Sequence, residues 1–75
     1  MSDAITPKQC AMARAGLNWS VHELAGRAGV HDNTIWRFED GHAFLPATAA
    51  RIQAALESGG AVFLTVDDGV QIKAA

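Results

Sequence analysis

The chain has 75 residues, a length that supports one core and one site, because a domain of this size buries only about 60% of the surface its unfolded chain exposes. Hydrophobic residues make up 49% and charged residues 19%, a globular composition, and no apolar run approaches the roughly 20 residues that cross a bilayer. The net charge of −2 argues mildly against a nucleic-acid partner unless positive charge is gathered on one surface.

The first residues, MSDAITPKQ, carry no basic segment followed by an apolar one, so a cytoplasmic protein without membrane association is expected. Thr6, Pro7 and Gln9 predict a helix start, with Thr6 as the cap, Pro7 in the first helical position and Gln9 placed for a reciprocal capping box. Ile5 and Cys10 fall at the two staple positions. Cys10, Ala13, Arg14 and Leu17 share one face, and Asn18 suits the left-handed conformation that ends a helix, so the first helix is expected over residues 7–17. The lone Cys10 excludes an internal disulfide.

Ser20 and Glu23 repeat the capping-box pattern and open a second, short helix with Leu24, Ala25 and Ala28 on one face up to Gly29. Val30 then points inward, and a third helix carries Ile35 and Phe38 until Gly41 ends it. Pro46 opens a fourth helix, with Ala49, Ile52, Ala55 and Leu56 on one stripe and Gly59 and Gly60 closing it. The period changes in AVFLTVDDGVQIKAA, which reads as a β-hairpin. A loop of Asp67, Asp68 and Gly69 places Val62, Leu64, Val66, Val70 and Ile72 on one face, which must then pack on the helices or on a second chain. The expected architecture is mainly α, with residues 1–60 forming a four-helix unit and residues 61–75 a C-terminal hairpin that serves as a candidate dimerisation element.

VHELAGRAGVHDNTIWRFED, residues 21–40, resembles the helix-turn-helix of the phage repressor and Cro family. Ala25 is the small residue where the two helices approach, Gly29 is the turn glycine, and Leu24, Ala28, Val30, Ile35 and Phe38 take the inward positions. ARAGLNWS before it resembles the family's first helix and turn, and PATAARIQAALE its fourth helix, so the resemblance covers residues 6–58. It implies a transcriptional regulator that binds double-stranded DNA sequence-specifically, with the amino-terminal half of the third helix in the major groove and a dimer spanning two half-sites.

Carried over by position, His31, Asp32, Asn33 and Arg37 face the groove. Asn33 suits bidentate pairing with adenine and Arg37 with guanine; Asp32 either favours the helix start or accepts from cytosine N4. Ser20 opens a helix whose first N–H groups can hold a phosphate. Arg14 and Glu39 match positions that form an inter-helix ion pair in such domains. The hairpin edge offers a route to a homodimer by strand addition.

The departures point elsewhere. Val21 stands where repressors often place a phosphate-contacting Gln, and HAFLP puts Phe44 and Leu45 where basic residues would grip the backbone. Exposed Trp36, with Phe44 and Leu45, therefore supports a second reading, a protein-interaction module on the same scaffold with weak or lost DNA binding. Trp19 is expected in the core, filling the turn between the first two helices. His22, His31 and His42 lack the spacing of a metal set and read as solvated histidines. No nucleophile–base arrangement or phosphate-cradling loop stands out, so neither catalysis nor a cofactor is expected.

Overall fold

A computed structural model of the chain describes residues 5–64 and 69–73. Among the described residues, four helices, α1 (Pro7–Gly16), α2 (Val21–Ala28), α3 (Asp32–Glu39) and α4 (Pro46–Ser58), are followed by the antiparallel strands β1 (Ala61–Phe63) and β2 (Val70–Ile72). The helix starts follow the local chemistry of the sequence. Thr6 Oγ1 accepts from the Gln9 N–H and the Gln9 side chain accepts from the Thr6 N–H, both at 3.0 Å, which satisfies two donors that the first turn would otherwise leave unpaired. Asn18 is left-handed with φ 60°, and Leu17 caps the end of α1. Ser20 Oγ caps α2 by accepting from the Glu23 N–H, but the Glu23 carboxylate turns to Arg27 instead of closing the second half of the box.

The inward positions of all four helices meet in one core whose largest fully buried side chains are Phe38, Leu24, Ile35, Ile52, Leu56 and Cys10. Each large apolar side chain buried there contributes about 1.5–3 kcal/mol. α2 packs on α3 and α4, while α1 crosses behind α3 and also meets α4.

The hairpin packs on the helices in a register other than the expected one. Ala61 pairs with Ile72, Val62 with Gln71 and Phe63 with Val70, and the Leu64 N–H donates to the Gly69 carbonyl at 2.9 Å. An odd shift in register exchanges the two faces of a strand. Ala61, Phe63 and Val70 therefore face the core, while Leu64, expected inside, is exposed. Val66 and the expected loop residues Asp67 and Asp68 lie outside the described residues. The reason for the shift is a tether that local alternation cannot reveal. Buried Gln9 in α1 donates through Nε2 to the carbonyls of Leu64 (3.1 Å) and Gly69 (3.3 Å), holding the two strands at the point where they leave the pairing. Gly16 completes the fit, since a Cβ there would stand 2.8 Å from Ile72 Cγ1 and push β2 off α1.

Candidate nucleic-acid interface

α2 and α3 are joined through Gly29, Val30 and His31. Gly29 has φ 73° and ψ 34°, a left-handed conformation that costs glycine little and reverses the chain directly after α2. The Val30 N–H donates back to the Ala25 carbonyl at 3.0 Å, and Ala25 is itself buried where α2 and α3 meet. His31 is the N-cap of α3 by backbone only: its carbonyl accepts from the Thr34 N–H at 2.9 Å, and its side chain makes no cap bond.

α3 is held from behind by a network centred on Glu39. Arg14 Nε donates to Glu39 Oε2 at 2.8 Å and Arg14 Nη2 to Oε1 at 3.0 Å, a forked pair, while Nη1 reaches the Trp19 carbonyl at 3.2 Å. Only 23% and 14% of these two side chains is exposed, so the pair is substantially withdrawn from water. Hydrogen bonding to Glu39 holds the Arg14 guanidinium above its already high range. Cys10 Sγ donates to Glu39 Oε2 at 3.3 Å; burial first, then the neighbouring carboxylate, pushes this thiol far above the ordinary range.

The opposite side of α3 faces solvent. Asp32, Asn33, Trp36 and Arg37 are all exposed, and Asn33 and Arg37 lie one helical turn apart. Asn33, Trp36 and Arg37, with Val21, Glu39, Asp40 and His42, line an open groove of about 550 Å³. Trp36 is 64% exposed. Phe44 does not line this groove; its ring meets Phe38 edge-on with centroids 4.6 Å apart. Leu45, the N-cap of α4, is also exposed.

The arginines differ sharply in how they are occupied. Arg14 is bound to Glu39, and Arg51 Nη1 lies 3.5 Å from the Gly29 carbonyl. Arg27 pairs with Glu23 at 3.0 Å and covers the Trp19 ring at 4.3 Å, with Trp19 only partly buried, against Gly59, rather than fully in the core. The Arg37 side chain has no hydrogen-bond or ion-pair partner among the described residues. Ser20 is exposed, with its hydroxyl committed to capping α2.

His22, expected as a solvated histidine, is exposed but has a partner. Its Nδ1 stands 3.0 Å from both carboxylate oxygens of Asp32, linking the first turn of α2 to the first turn of α3. No single-helix spacing signals this contact, because the partners lie on different helices. At the other end of α3, His42 Nε2 is 3.1 Å from Asp40 Oδ2. Among the described residues no group of three His, Cys, Asp or Glu side chains is arranged to hold a metal ion, and no helix is long and apolar enough to cross a membrane. No protein-family model matches the chain, and no curated protein matches it significantly.

Proposed function

We propose that this chain is a double-stranded DNA-binding transcriptional regulator that uses α2 and α3 as a repressor-type helix-turn-helix and lays α3 in the major groove. One observation carries the reading. Arg37 is the arginine without a polar partner among the described residues, and it stands one turn from Asn33 on the exposed side of a helix anchored from behind by Glu39 and Arg14. Asn33 and Arg37 match the donor and acceptor patterns of adenine and guanine, and each bidentate contact is worth about 1–3 kcal/mol of discrimination. His31 and Asp32 occupy the same end of α3, and the N–H groups that begin α2 after Ser20 are available to phosphate.

With few unpaired cations, the salt-dependent phosphate term is small for one copy, and a homodimer doubles it. The hairpin suits this arrangement: among the described residues the sheet has two strands, and strand addition by a second copy at an outer edge would join the two copies. The reading needs no catalysis and no cofactor.

Titration of random-sequence and native upstream duplexes at low and physiological salt, with Arg37→Ala in parallel, tests the proposal. Salt-sensitive binding that is tighter on the upstream duplex and weakened by Arg37→Ala supports it; no binding even at low salt overturns it. The exposure of Trp36 in the groove favours the second reading, a protein-docking face, as the one that replaces it in that event.

A further inference from the structure

The outer side of α3 poses an electrostatic problem for the DNA reading, on which this inference rests. Asp32 and Asp40 flank the face at its two ends, and Arg37 stands between them, because Glu39 turns inward to Arg14. Two carboxylates against one guanidinium leave this face with a net charge of −1 when the histidines are neutral. A surface of that sign repels the phosphates it must approach. Yet each carboxylate is in contact with an imidazole: His22 with Asp32 at 3.0 Å, and His42 with Asp40 at 3.1 Å.

We infer that DNA binding by this chain is proton-linked, with His22 and His42 acting as the charges that neutralise Asp32 and Asp40 as the duplex docks. When both imidazoles are protonated, each pair becomes neutral as a unit, and the two pairs together with Arg37 move from −1 to +1, with Arg37 left to act. Histidine is the side chain whose ordinary titration falls in the physiological range, and an approaching polyanion favours its charged form. Protons are therefore taken up on binding, and affinity rises as pH falls.

Three imidazoles lie at this surface: exposed His31, the backbone N-cap of α3 beside Asp32, has no side-chain cap bond, and the two in contact with carboxylates are His22 and His42. His22 faces Asp32 from α3, and on its own helix it shares a surface hollow with Glu23 and Arg27, which pair with each other at 3.0 Å. Of the charged groups on α4, Arg51 reaches Gly29 at the opposite end of α2 and Glu57 accepts from Gln53 on its own helix. His42 lines the α3 groove with Arg37, Glu39 and Asp40, of which Glu39 is committed to Arg14. Neither pair is a device for stability. The His22 and Asp32 side chains are 87% and 53% exposed, and pairs so open to water contribute little to folding. What they set is the charge presented at the surface.

The test is fluorescence anisotropy of a labelled random-sequence duplex at fixed low salt, near pH 6 and near pH 8, with circular dichroism recorded at both to follow folding. The expected result is a Kd about tenfold lower near pH 6 than near pH 8. The His22→Gln/His42→Gln double variant loses most of this dependence, whereas His31→Gln, which removes the exposed imidazole at the start of α3, keeps it. The Asp32→Asn/Asp40→Asn double variant binds near pH 8 about as tightly as the parent does near pH 6. An unchanged parent Kd across the range overturns the inference and leaves the DNA reading intact, as does a pH dependence that persists at full size in the double histidine variant or disappears in His31→Gln. No binding at either pH overturns the DNA reading and this inference with it.

Discussion

α3 carries two kinds of carboxylate pair, and their difference separates what builds the molecule from what it presents. Glu39 and Arg14 meet on the inner side, forked, largely out of water and joined by the Cys10 thiol. Asp32 and His22 meet on the outer side with both side chains mostly in water. Distances are nearly the same, 2.8 and 3.0 Å, so geometry alone does not distinguish them. Burial does. A withdrawn pair is costly to break from one side because the remaining charge has lost its water, whereas an exposed partner is simply resolvated. The inner pair fixes the position of α3; the outer pair sets its charge.

The largest expected effect tests the inner pair. Arg14→Ala is expected to lower the unfolding free energy by about 3 kcal/mol, measured by urea denaturation, because it strands Glu39 beside buried Cys10. Arg14→Met with Glu39→Leu is expected to recover most of that loss; a single-variant loss below about 1 kcal/mol would place the pair with the exposed ones.

Cys10 sharpens the same point through pH. Its thiol is held far above the range it has in the unfolded chain, so the folded state keeps the proton that the unfolded state releases as pH rises. The stability linked to this group is complete below the ordinary thiol range and declines above about pH 9, by up to about 1.4 kcal/mol per pH unit. Denaturation of parent and Cys10→Ala across alkaline pH should show a steeper decline in the parent; parallel curves would contradict it.

Two smaller effects belong to the outer surface. Gly26 lies mid-way in α2, exposed, with nothing within 4 Å of where a Cβ would stand, so Gly26→Ala is expected to stabilise by about 0.5–1 kcal/mol. His22→Gln is expected to change stability by less than about 0.5 kcal/mol in a thermal melt, despite removing a 3.0 Å contact. A loss comparable to that of Arg14→Ala would erase the distinction between the two pairs.

The helical part of the fold was legible because its signals are local. The Thr6 and Gln9 box, left-handed Asn18, Gly29 and the buried stripe through Ala49, Ile52, Ala55 and Leu56 all involve residues a few positions apart. The hairpin register was not, because it depends on Gln9 reaching Leu64 and Gly69 and on Gly16 making room for Ile72. Alternation identified the strands but not which of their faces the helices would take. The site shows the same division. Exposure of Asn33, Trp36 and Arg37 follows from helical periodicity around buried Ile35 and Phe38. The contact of His22 with Asp32 crosses between two helices, and the stacking of Arg27 on Trp19 folds the α1–α2 connection back along α2; both depend on packing that no single-helix pattern encodes.

The most direct measurement is selection of duplexes from a random library by the parent chain and by Arg37→Ala, followed by sequencing of the bound pool. If the outer face of α3 reads bases, the parent enriches a motif containing a guanine whose preference is lost in Arg37→Ala while the remaining positions persist. A parent pool with no enriched motif, or one that Arg37→Ala leaves unchanged, would contradict the assignment of this face to sequence reading.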